Sequence, residues 1–135
     1  MTDPPIFRAL VGVRSPAQRA WALALLTLLP AAAGAQEAGE GERLFRQRCA
    51  SCHATQAGQN RGGPSLAGIA GRRAGSGEGA RYSSALRESG LTWDDASLDR
   101  FLANPRQTVP GTTMAVNVPN ESQRQSLIAF LRSLP

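Results

Sequence analysis

Cys49-Ala50-Ser51-Cys52-His53 contains both cysteines and the single histidine of the chain. Cys-x-x-Cys-His is the pattern that attaches haem covalently. Two cysteines three apart on one helical turn can each reach one vinyl group on the same side of a porphyrin and form a thioether. The next residue, His53, is then carried beneath the ring, where its imidazole can bind iron. Rival chemistries lack residues. A structural zinc site needs four ligands, and Cys49, Cys52 and His53 supply three. A thioredoxin-like redox pair wants a strand before it, within a βαβ pattern, whereas helix-period sequence precedes this motif. A disulfide between Cys49 and Cys52 would close a tiny loop and constrain nothing distant. No second histidine is left for a Ser-His-Asp arrangement.

A haem iron has a second axial position. Met114 is the only internal methionine. It follows Pro110-Gly111-Thr112-Thr113, irregular sequence that can present a side chain to a face rather than along a helix. A thioether opposite an imidazole favours ferrous iron and raises the reduction potential. The ordinary alternative is a Met114 that simply packs as an apolar residue. His53 needs its other ring N–H satisfied and its orientation fixed. A backbone carbonyl near Pro64 is the expected acceptor, because proline makes the loop rigid and brings no competing donor.

These residues need elements to position them. Gln36 to Arg48 reads as a helix, with Glu37, Glu40 and Glu42 toward its positive end and Arg43, Arg46 and Arg48 toward its negative end. Gly41 offers a bare patch on that helix where another could approach closely. Ala54 to Gly79 is rich in Gly, Ser and Arg. It is expected to be a long irregular loop, held by something other than secondary structure. Tyr82 to Ser89 reads as a short helix closed by Gly90. Thr92, with Asp95 three residues on, is expected to cap a helix that runs to about Asn104 and stops at Pro105. Arg106 to Pro119 reads as irregular. Asn120, with Gln123 three on, starts the last helix, whose Leu127, Phe130, Leu131 and Leu134 share one face. No strand-period pattern of any length occurs. The class is therefore all-α, three to five helices with long loops. So loop-rich a domain would struggle to offset its chain entropy with its own thin core. A large apolar cofactor at the centre would supply what is missing.

The front of the chain differs. Arg8, Arg14 and Arg19 precede an apolar run of about ten residues from Ala20 to Leu29, and Ala33-Gly34-Ala35 follows. This reads as a signal peptide over residues 1–35, cleaved before Gln36. The run is short of the roughly 20 residues a spanning helix needs, although an uncleaved membrane anchor is the alternative. Every basic residue is arginine. The formal charge of +5 falls to +3 after cleavage, 12 arginines against 9 carboxylates. No arginine-rich block with interleaved aromatics occurs, which argues against a nucleic-acid partner.

Together the motifs over residues 36–135 resemble a class I c-type cytochrome, the mono-haem mitochondrial and bacterial type. The resemblance rests on Gly41 and Phe45 before Cys49-Ala50-Ser51-Cys52-His53, then Gly63-Pro64-Ser65-Leu66, Arg72, Tyr82, Gly90-Leu91-Thr92-Trp93, Pro110-Gly111-Thr112-Thr113-Met114 and Leu127-Ile128-Ala129-Phe130-Leu131. It implies a cytochrome c fold around one haem c bound through Cys49 and Cys52. His53 and Met114 would be the axial ligands, with the Pro64 carbonyl orienting His53. Arg72, Tyr82 and Trp93 would bond or screen a buried propionate, and Thr112 would sit near the methionine side and the other propionate. Gly41 and Phe45 would cross Leu127 and Phe130.

The implied role is a monomeric, periplasmic electron carrier between redox protein partners, not an enzyme, with no small-molecule substrate. The alternatives are a dedicated haem subunit of a periplasmic dehydrogenase, a haem sensor in which Met114 dissociates, and a membrane-anchored form. Relatives often carry lysine before the methionine, where this chain has Thr113. Any basic ring that steers partners must here be arginine, with Arg61, Arg73, Arg81 and Arg106 as candidates. Counting two propionates and a ferric haem core, the net charge comes to roughly +2, so strong steering is not expected.

Overall fold

The computed structural model describes residues 31–135, and side chains from residue 39 onward. Five helices follow in order: α1 (Ala31–Arg48), α2 (Ser84–Glu88), α3 (Asp95–Ala103), α4 (Pro105–Thr108) and α5 (Glu121–Arg132). Among the described residues there is no strand, only an isolated antiparallel bridge between Arg73 and Thr92. The all-α expectation holds. The expected n-region and apolar run of the leader lie outside the described residues. The expected cleavage point before Gln36 falls within the span of α1.

α1 and α5 cross at Gly41. A Cβ there would run into the carbonyl oxygen of Ser126 and stand 2.7 Å from Cβ of Phe130. Only a hydrogen side chain lets the two backbones approach this closely. Phe45, one turn on, meets Phe130 with ring centroids 5.5 Å apart and planes tilted by 46°. α3 packs Leu98, Phe101 and Leu102 against Leu127, Ile128 and Leu131 of α5, and all six are buried. Leu127 and Leu131 are among the positions the sequence places on one face of the last helix, whereas Ile128 is not.

α3 starts later than expected. Asp94 is its N-cap, accepting from Ser97 N at 2.7 Å, and Thr92 is not. Thr92 is held back by pairing: Ala74 N donates to Leu91 O at 2.8 Å, and Trp93 N donates to Arg72 O at 2.9 Å. The backbone stays extended through Trp93, so the next cap-forming residue takes over. The backbone N–H of Ser97 holds the Asp94 carboxyl below the usual carboxylate range. The sequence pattern does not predict α4. Pro105 ends α3 but also opens a new turn at its first helical position, with Asn104 extended and accepting from Gln107 N at 3.2 Å. At α5, Asn120 caps Gln123 N at 3.0 Å, as the sequence suggests.

The loop over residues 54–79 holds itself. Asn60 accepts from Ser65 N at 3.0 Å and donates to Glu78 O at 2.9 Å. Ser65 Oγ donates to Gln56 O at 2.6 Å. Arg72 reaches back to Ser65 O at 3.0 Å and Ala67 O at 2.9 Å. The polar side chains that make this stretch look unstructured are its fastenings.

Candidate functional site

α1 ends at Arg48, and its last carbonyls are taken up by the residues that follow. Cys49 N donates to Phe45 O at 2.8 Å, and His53 N donates to Cys49 O at 2.9 Å. The motif is thus a continued helical coil, and both sulfurs and the imidazole project from it into one cavity of about 260 Å³. Cys49 is buried and Cys52 exposed, and neither is in a disulfide. Burial pushes the Cys49 thiol up, against the opposing charge of Arg48.

His53 is fixed from two sides. Its Nδ1 lies 2.8 Å from the carbonyl oxygen of Pro64. A carbonyl can only accept, so Nδ1 carries the proton, and in the neutral ring the lone pair is then on Nε2. Gly63 lies flat against the ring: a Cβ there would stand 2.6 Å from Cε1 and 2.9 Å from Nδ1. In the sequence Gly63 reads only as part of a turn. Its place beside the proline that supplies the acceptor is the available signal. Gly63→Ala is expected to displace the imidazole and cost about 1–3 kcal/mol of overpacking. Denaturant unfolding measures the cost, and the shifted ring resonances of His53 report the displacement.

All nine sequence-selected site residues line this one cavity: Cys49, Cys52, His53, Pro64, Arg72, Tyr82, Trp93, Thr112 and Met114. The rest of the wall is largely apolar, with Leu66, Ile69, Leu98, Phe101 and Leu127. Trp93 is buried and meets Phe101 with ring centroids 5.0 Å apart and planes tilted by 60°. The Arg72 guanidinium and the Tyr82 hydroxyl both lie beside Gly77, whose Cβ would meet that hydroxyl and lie 3.8 Å from Nη2 of Arg72. Of the four arginines expected near the haem edge, only Arg81 lines the cavity, joined by Arg48. Arg61 instead donates to Ala50 O at 2.9 Å, and Arg73 and Arg106 are exposed elsewhere.

Among the described residues no three His, Cys, Asp or Glu gather to hold a bare metal ion. The donor set is two thiols, one imidazole nitrogen and one thioether around an apolar slot. That set fits a metalloporphyrin, with sulfur for the ring and nitrogen and thioether for the iron. The family model described as cytochrome c matches residues 38–135. The chain belongs to the cytochrome c family. Cytochrome c of Euglena viridis is 39% identical over 99 residues, covering 73% of this chain and 97% of that protein. Cytochrome c2 of Rhodoblastus acidophilus is 44% identical over 93 residues, covering 67% and 86%. Among solved structures, cytochrome cH from Methylobacterium extorquens matches with a TM-score of 0.66 at 40% identity, covering 71% of this chain and 97% of that one. Like other cytochromes c, this chain is a mono-haem electron carrier, and Cys49 and Cys52 stand at the spacing for covalent attachment of one haem c.

Proposed function

We propose that this cytochrome c is exported, matures by cleavage before Gln36, and carries single electrons between two redox proteins through an iron ligated by His53 and Met114. One observation carries the reading. His53, with Nδ1 committed to Pro64 and Nε2 left as a donor to metal, lines the same cavity as the chain's only internal methionine. Haem supplies a one-electron Fe(III)/Fe(II) couple when bound.

The chain's own residues account for the rest. The Pro64 carbonyl and the flat face of Gly63 fix the orientation of His53, which keeps reorganisation small on electron transfer. Cys49 is buried and Cys52 exposed, so a ring bonded to both reaches from the core to the surface, where a partner can exchange an electron. The Arg72 guanidinium, the Tyr82 hydroxyl and the Trp93 indole offer donors for a buried propionate, with Thr112 near the other. In this reading the chain acts as a monomer, and its membership of the cytochrome c family supports redox proteins as its partners. No helix among the described residues is long and apolar enough to cross a membrane. The relatives include bacterial cytochromes c2, which favours the periplasm.

The oxidised protein is expected to give a low-spin haem spectrum with a Met–iron charge-transfer band, and an intact mass of residues 36–135 plus one haem. A high-spin spectrum would overturn the ligation. A mass that includes residues 1–35 would overturn the cleavage.

A further inference from the structure

Met114 sits on a span with few attachments of its own. Before it, Thr112 N donates to Val109 O at 3.0 Å, and Thr112 Oγ1 accepts weakly from Met114 N at 3.4 Å. After it, Ala115 and Val116 line the cavity, and Asn117 is exposed. The next fixed point is Val118, only 2% exposed, whose N–H donates to Leu102 O of α3 at 2.7 Å. Beside it lies Arg124 of α5, a charged side chain that is 9% exposed. Its Nη1 donates to Val118 O at 3.1 Å and Pro119 O at 2.8 Å. Its Nε donates to Asp99 Oδ1 of α3 at 2.7 Å. One guanidinium thus ties the segment after Met114 to two helices at once. Burying a charge is costly unless such partners offset it, so this grip is rigid.

We propose that Arg124 is the positioning residue for Met114. By clamping the Val118 and Pro119 carbonyls, it holds the span that presents the thioether and sets how readily that thioether leaves the iron. The inference rests on the His53/Met114 reading. The chain contains no lysine and no second histidine, so once Met114 leaves, no such side chain can take its place. An added ligand therefore reports the open site directly.

The test is imidazole binding to the ferric holoprotein, for wild type and variants. Arg124→Gln is expected to raise the apparent affinity about tenfold, since two charge-assisted bonds to the span are lost. Asp99→Asn keeps both carbonyl bonds and is expected to raise it by much less. Arg132→Gln is the control. Its exposed ion pair with Asp95, at 3.0 Å, joins the same two helices without touching the span, and affinity should not change. Should Arg124→Gln fail to fold, Arg124→Leu, which fills the buried position without bringing a new nitrogen ligand, is expected to show a rise in the same direction. Unchanged affinity in the folded Arg124 variant overturns the proposal. So does an equal rise in Asp99→Asn, which would mean that Arg124 only joins helices. Met114→Ala separates the two readings. If it binds imidazole no tighter than wild type, Met114 is not a ligand at all, whatever Arg124 does.

Discussion

Met114→Ala is expected to abolish the Met–iron charge-transfer band, open the reduced protein to carbon monoxide and lower the midpoint potential by on the order of 0.2 V. The potential falls because a soft thioether stabilises ferrous iron more than ferric, and water or hydroxide in its place reverses that preference. For one electron, 0.2 V corresponds to about 5 kcal/mol, far more than one side chain's packing contributes to redox poise. Packing must still be separated from ligation, because Met114 is half-buried and lies against the core. Met114→Leu does this. It keeps the apolar volume, so stability should fall by less than in the alanine variant, while the band and the potential are lost just as fully. Redox titration and the oxidised spectrum of both variants check the prediction. A leucine variant that kept the wild-type potential would show that Met114 only packs.

The residues with distinctive chemistry are legible in the sequence because there are so few of them. Two cysteines, one histidine and one internal methionine leave little choice of pairing, and all four line a single cavity. The stiffness of its loop points to the Pro64 carbonyl, and that oxygen lies 2.8 Å from Nδ1 of His53. Local rules fail where a non-local contact competes. Thr92 has the makings of an N-cap, but the bridge to Arg73 claims its backbone, and Asp94 takes the cap. Pro105 reads as a stop, although a proline that ends one helix is equally suited to begin another. Arg124 is misread by its residue type rather than by its position. Arg124 stands three residues before Leu127 and seven before Leu131, in line with the buried face of α5, but an arginine in the first turn of a helix looks like solvated surface, and its burial depends on where the chain returns after Met114.

Gly41→Ala should destabilise the protein, although helix propensity alone predicts the opposite. Alanine in place of an interior helical glycine gains up to about 1 kcal/mol. At Gly41 that gain meets a packed backbone. The new methyl would overlap the Ser126 carbonyl oxygen and lie 2.7 Å from both the Ser126 carbonyl carbon and Cβ of Phe130. None of these atoms is the tip of a flexible chain. Relief therefore requires α5 to move as a body, and that pulls Leu127, 2% exposed, and the Phe45–Phe130 contact out of register. Overpacking of this kind costs about 1–3 kcal/mol or more. The net is expected to be a loss of about 2 kcal/mol, or a fall in Tm of roughly 10 °C for a domain of this size. Gly39 supplies the matched control. It lies on the same helix, and a methyl group placed there would have no neighbour within 4 Å, so Gly39→Ala should keep the propensity gain and stabilise. Thermal unfolding of the two holoproteins, followed by far-ultraviolet circular dichroism, compares the signs. If both glycines respond alike, the α1–α5 crossing is not where close approach is required.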